Sequence, residues 1–124
     1  ENRVQVRYML QVVAGLLARH ELYVARYYLK MDEFDAAVAR CQFALDNFPD
    51  SGLEAEALVL LGETYLKMKK HREARALFER VIVQHSDSAF VIPARNFLNL
   101  TVPAQAAPGA APNPAPNVAP SVAN

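Results

Sequence analysis

The side chains that could carry chemistry are one cysteine, Cys41, and three histidines. The histidines have acidic neighbours only along the chain, in His20-Glu21 and in the run from His71 to Glu73. Residues one or two positions apart on a helix do not face each other, so these pairs do not form a metal site. No glycine-rich phosphate loop and no nucleophile-elbow motif occurs in the sequence. We therefore expect no catalytic residue, no metal ion and no cofactor.

Charge and hydropathy exclude further classes of function. The chain has 13 basic and 13 acidic residues, so no net charge attracts nucleic acid or an anionic membrane. The longest uncharged helical run, Tyr8 to Ala18, is shorter than the roughly 20 residues that a membrane-spanning helix needs. Cys41 lies on an apolar helix face and has no second cysteine to pair with, which favours a buried structural thiol.

The stretch that organises the chain runs from Leu17 to Ser51 and predicts two amphipathic helices with a short turn at Lys30 to Glu33. Apolar residues recur three and four positions apart on both sides of that turn, which is the spacing of one helix face. Pro49 has no N–H to donate and disfavours helical geometry at Phe48, so the second helix ends there. Small residues lie where the two helices should approach most closely, at Ala25, Ala37 and Ala44.

The same pattern recurs 37 residues further along the chain. The offset matches Ala25 with Gly62, Tyr28 with Tyr65, Ala37 with Ala74, Ala44 with Val81 and Ser51 with Ser88. This order and spacing resemble the tetratricopeptide repeat, whose usual period is about 34 residues. Two unrelated hairpins are the alternative, but several type-matched positions at one fixed offset favour a repeat.

We therefore predict an all-α tetratricopeptide-repeat α-solenoid over residues 1–101, with repeats at about 18–51 and 55–88. A terminal helix over about 89–100 should cover the end of the solenoid. Residues 102–124 are rich in alanine and proline and carry no charge, which predicts a disordered tail.

The first hairpin is preceded by apolar residues in the same rhythm, which predicts one long helix from about Asn2 to Lys30. A bend near Gly15 is the alternative. At the start of the third helix, Ser51 or Asp50 is expected to cap the free N–H groups. The chain begins at Glu1 inside a predicted helix and without methionine, so we expect it to be a piece of a longer protein.

In tetratricopeptide arrays the first helix of each hairpin lines the concave surface. By the repeat register that surface is basic in the first unit and mixed in the second. It carries Arg19, Arg26 and Lys30 on the first helix, followed by Glu56, Glu63 and Lys67 on the third. We predict that Arg19, Arg26, Lys30 and Glu63 bind a partner; an ordinary solvated face is the alternative.

One run is more specific than a generic repeat. Residues 17–30, LARHELYVARYYLK, resemble the signature of the BamD family of outer-membrane-protein assembly lipoproteins, and Ala36 to Arg40 and Phe48 to Ser51 are similar to that family's next segment. The resemblance covers about residues 1–101 and would make this chain the C-terminal half of such a protein. Lys30-Met31-Asp32 departs from the family's Lys-Arg-Gly turn, and the tail is not part of the shared pattern.

The resemblance implies a non-enzymatic scaffold on the periplasmic face of the bacterial outer membrane. Such a protein is tethered by an N-terminal lipidated cysteine, which this chain lacks. The family's C-terminal repeats dock the POTRA domain of BamA, and other assembly lipoproteins bind nearby. Arg40 matches a family arginine that meets an acidic residue of that domain, and a bidentate arginine–carboxylate contact suits such an interface.

Two other functions remain open on the residues alone. A different periplasmic tetratricopeptide adaptor, of the TolA-associated or secretin-pilot type, would grip a peptide in the concave groove, and Arg26 and Lys30 would then matter more than Arg40. An enzyme is disfavoured because no catalytic set converges; loss of a turnover on replacing one histidine would revive it.

Overall fold

The computed structural model describes residues 2–101, so the tail predicted at 102–124 lies outside the described residues. The described residues form five α-helices and no strand, which confirms the all-α prediction. The helices are α1 (Asn2–Lys30), α2 (Phe34–Asn47), α3 (Glu54–Lys67), α4 (His71–Gln84) and α5 (Val91–Leu98). Helices α1 and α2 form one hairpin, α3 and α4 form the next, α2 packs on α3, and α5 packs on α4.

Helix α1 runs unbroken through Gly15, as the long-helix prediction requires. Only its second half enters the core, through Ala18, Leu22, Ala25 and Leu29. Its first half exposes large apolar side chains on several sides. Across residues 2–101, no helix combines the length and apolarity that crossing a membrane would require.

The two hairpin turns have the same geometry, 37 residues apart. Asp32 and Lys69 both adopt left-handed backbone conformations, with φ of 58° and 65°. The N–H of the next residue then donates back to a tyrosine carbonyl, at 2.9 Å from Glu33 to Tyr28 and in the matching pair of the second hairpin. The left-handed φ also explains why a glycine suits the position that Asp32 occupies here.

The connectors between hairpins correct the predicted cap. Neither Ser51 nor Asp50 caps α3, because its N-cap is Leu53 and no side chain bonds there. Instead the Ser51 hydroxyl accepts a hydrogen bond from the Leu53 N–H at 3.1 Å, in the connector itself. The same bond recurs between Ser88 and Phe90 at 3.0 Å. Helix α5 begins at Val91 and ends at Leu98, so it is shorter than the predicted 89–100.

Inside the two hairpins, equivalent contacts use different pairs of residues. In the first, Ala25 and Cys41 are both fully buried. The 37-residue offset places Gly62 and Phe78 at the matching positions of the second, where Phe78 is also fully buried. The ring of Phe78 packs against Gly62, which has no side chain. The larger side chain on one helix thus compensates for the smaller residue on the other, and the contact stays filled.

We expect Gly62→Ala to lower the free energy of unfolding by about 1–3 kcal/mol, because overpacking a filled core strains it. A Cβ at Gly62 would lie 2.6 Å from Cε1 of Phe78, and that ring is buried and stacked on Phe97. Urea unfolding followed by circular dichroism measures the change.

Gly15→Ala is the matched control, because the nearest atom to its Cβ, the Ser51 carbonyl oxygen, is 3.4 Å away. Helix propensity then favours alanine by up to about 1 kcal/mol. In a Phe78→Leu background the cost of Gly62→Ala should disappear. An equal cost in both backgrounds would contradict the clash with the ring.

Candidate functional site

Helices α1 and α3 line a groove of about 370 Å³ on one side of the module. Its apolar lining comes from Leu29, Val59, Leu60 and Phe90, and its charged lining from Arg26, Lys30, Asp32, Glu56, Glu63 and Lys67. The groove therefore brings together three of the residues predicted to bind a partner, Arg26, Lys30 and Glu63. An apolar floor between charges of both signs suits a peptide-sized segment rather than a single ion.

The strongest polar contact of this groove is an ion pair between the two hairpins. Arg26 Nη2 donates to Glu56 Oε2 at 2.6 Å, and Arg19 Nη1 lies 3.9 Å from Glu56 Oε1. The Glu56 side chain is only 13% exposed. The sequence predicted Glu56 on this surface but did not predict the ion pair. The 37-residue offset matches Glu56 with Arg19, and this reversal of charge between equivalent positions could have indicated it.

Arg40 lies apart from the groove, on α2 at its junction with α1. Its Nη1 donates to Glu21 Oε1 at 2.9 Å. The Glu21 side chain is 12% exposed, whereas the Arg40 side chain is 44% exposed. The hydrogen bond and the charge of Glu21 raise the pKa of the Arg40 guanidinium further above its usual value. Glu21 carries no role predicted from the sequence.

Two exposed apolar residues lie on the same helix faces as this pair. Leu17 is one turn before Glu21 on α1, and Phe43 is three residues after Arg40 on α2. An arginine beside an aromatic and an aliphatic side chain is the composition found in the centre of protein interfaces. We name Leu17, Glu21, Arg40 and Phe43 the Arg40 surface.

The possible metal ligands and the cysteine of residues 2–101 lie in different parts of the fold. Among residues 2–101, no three His, Cys, Asp or Glu side chains lie close enough to hold a metal ion. Burial raises the pKa of the Cys41 thiol to about 12, an effect that the charge of Glu63 adds to and that of Arg26 opposes. A thiol that stays protonated at neutral pH is a poor nucleophile, so Cys41 acts as a packing residue.

Comparison with known proteins finds outer membrane protein assembly factors among the relatives of this chain. The outer membrane protein assembly factor BamD of Pasteurella multocida is 44% identical over 56 residues, which cover 45% of this chain and 22% of that protein. The BamD of Haemophilus influenzae is 35% identical over 93 residues, covering 74% of this chain and 35% of the relative. The chain thus spans about a fifth to a third of the length of these relatives. No solved structure matches it.

A family model described as outer membrane lipoprotein, YfiO, matches residues 3–81. The match covers more than half of the chain and includes almost all of α1, the whole of α2 and α3, and most of α4. It therefore contains both the groove helices and the Arg40 surface. Together with the BamD relatives, it confirms the resemblance seen in residues 17–30. The chain belongs to the YfiO family of outer membrane lipoproteins.

Proposed function

We propose that this module is a non-enzymatic scaffold of outer-membrane β-barrel assembly, acting at the periplasmic face of that membrane. We propose further that its Arg40 surface docks the POTRA region of BamA, and that other assembly lipoproteins bind neighbouring parts of the module. The family supports the general role, because its relatives are named outer membrane protein assembly factors. The observation that carries the docking surface is the exposed, ion-paired Arg40 between apolar neighbours.

The chemistry of Arg40 suits an acidic residue on the partner. A guanidinium has five N–H donors in a planar fork, and the Glu21 carboxylate accepts from one nitrogen, Nη1. The other N–H donors belong to the Arg40 side chain, which is 44% exposed, so a partner carboxylate can reach them. Two parallel bonds to one carboxylate fix orientation as well as adding affinity. Leu17 and Phe43 add apolar area around that contact.

The test is the affinity of this chain for the POTRA region of BamA from the same source, measured by titration calorimetry. Arg40→Glu is expected to weaken binding by at least about 30-fold, because a central interface arginine contributes about 2 kcal/mol or more. Arg40→Gln is a second variant, since a glutamate beside Glu21 adds repulsion within the fold. Circular dichroism checks that both variants remain folded.

Lys30→Glu is the matched control, because it reverses a charge in the groove and leaves the Arg40 surface intact. Its affinity for the POTRA region should equal that of the unchanged chain. Equal affinity of both Arg40 variants and the unchanged chain would remove Arg40 from the interface.

A second candidate function is peptide binding in the groove, which its apolar floor and charged lining favour. A different periplasmic adaptor would bind its partner in this way. The groove variant Lys30→Glu would then abolish binding while Arg40→Glu would leave it intact. The same set of variants therefore separates the two functions.

A further inference from the structure

Glu21, like Glu56 in the groove, is a largely buried acid whose ion pair joins two helices. Its side chain is 12% exposed, and its carboxylate bonds to Arg40, which lies 19 residues away on the next helix. The Arg75–Glu79 pair shows the ordinary case, in which both residues lie on one helix at 3.5 Å and the Glu79 side chain is 54% exposed. A carboxylate that is largely removed from water needs its partner more than an exposed one does.

We propose that Glu21 is a positioning residue of the docking surface: it holds the Arg40 guanidinium in the orientation that the partner binds. The inference rests on the proposed docking role of Arg40. It assigns to Glu21 a function in recognition without contact to the partner.

The restraint follows from where Glu21 is placed. It lies near the middle of α1, between the core residues Ala18 and Leu22, so its backbone cannot shift without disturbing the core. Tyr28 lies two turns further along α1 and is half-buried, and its side chain also raises the pKa of the Arg40 guanidinium. A long arginine side chain held by groups on a rigid helix loses less freedom on binding than one that rotates in water.

The geometry also determines how the partner must bind. Glu21 accepts from Nη1 of Arg40, so an incoming carboxylate bonds to other N–H groups of the guanidinium and leaves the internal pair in place. A partner that pulled Arg40 away would leave the Glu21 carboxylate partly buried and unpaired, which costs free energy. The partner therefore adds an acid to the pair and does not replace Glu21.

Removing Glu21 has two opposite effects on an acidic partner. It lets Arg40 rotate, which weakens binding, and it removes a negative charge, which strengthens binding. A partner acid bonds to the guanidinium directly and meets the Glu21 carboxylate only across that group, so the second effect is the smaller of the two. The loss of orientation is therefore the larger, and Glu21→Ala should weaken POTRA binding about three- to ten-fold.

A double-mutant cycle distinguishes positioning from a structural role. Affinities are measured for Glu21→Ala, Arg40→Ala, the double variant and the unchanged chain. Glu21→Ala should weaken binding when Arg40 is present and should have no effect in the Arg40→Ala background. Glu21→Gln, which keeps an oxygen acceptor, should recover part of the affinity. Glu79→Ala, which breaks the exposed Arg75–Glu79 pair, should bind as the unchanged chain does.

The outcomes separate the two proposals. If Arg40→Ala leaves the affinity unchanged, the docking role of Arg40 fails and the positioning role fails with it. If Arg40→Ala weakens binding while Glu21→Ala does not, only the positioning role is overturned. Tighter binding of Glu21→Ala would make Glu21 a competitor for Arg40, and an equal loss in both backgrounds would make its effect structural.

Discussion

Replacing Phe78 with alanine is expected to lower the free energy of unfolding by about 3–5 kcal/mol, the cost of deleting a buried aromatic side chain. Phe78 is fully buried, and its ring stacks on Phe97 with centroids 5.4 Å apart. It belongs to the core cluster that joins α3, α4 and α5. Urea unfolding at 25 °C, followed by circular dichroism, gives the value.

Cys41→Ala is the control, because Cys41 occupies the equivalent position of the first hairpin and is equally buried. It deletes one sulfur atom, so a loss of only about 1 kcal/mol is expected, near the average for a point substitution. Hydrogen exchange should show the amides of α5 losing protection in Phe78→Ala and keeping it in Cys41→Ala. Equal losses of stability in the two variants would contradict the unequal packing of the hairpins.

The second large effect is a loss of stability in alkali that depends on Cys41. Its thiol has an ordinary pKa of 9.0, and burial raises that pKa to about 12 in the folded chain. Between these values the unfolded state binds fewer protons than the folded state, so stability falls as pH rises. The contribution is complete below pH 9, declines by about 1.4 kcal/mol per pH unit above it, and is lost near pH 12, a total of about 4 kcal/mol.

Cys41→Ala isolates this effect from the titration of tyrosine and lysine, which both chains share. Below pH 8 the difference in unfolding free energy between the two chains should not change with pH. At pH 10 ionisation of the thiol in the unfolded state should destabilise the unchanged chain by roughly 1 kcal/mol relative to Cys41→Ala, which offsets the loss expected for the variant at neutral pH. A constant difference up to pH 10.5, or rapid alkylation of native Cys41 at pH 8, would contradict the buried thiol.

The helices and the repeat could be predicted because they depend on local spacing. Without a proline or a cap before Lys30, the apolar rhythm continues, and α1 does run from Asn2 to Lys30. The 37-residue offset found from residue types returns in the backbone, where Asp32 and Lys69 adopt the same rare conformation. A pattern of this kind needs only the period of a helix and the chemistry of a turn.

The contacts between helices could not be predicted in the same way. The bond from Arg40 to Glu21 joins residues 19 apart, and it depends on how α1 and α2 are rotated against each other. The cap assigned to Ser51 failed because its hydroxyl bonds two residues ahead, a local alternative that serine offers equally well. The packing of Phe78 against Gly62 could be predicted only from the distance between α3 and α4, and the spacing of residue types along the chain does not give that distance.

The Arg26–Glu56 ion pair crosses the groove side of the module and joins the first helix of one hairpin to the first helix of the next. A bond on the inner side of a curved stack resists straightening, because straightening lengthens that side. The pair thus acts as a tie between the two hairpins, and salt weakens it only in part because the Glu56 side chain is 13% exposed. Charge as well as packing accordingly holds one hairpin against the next.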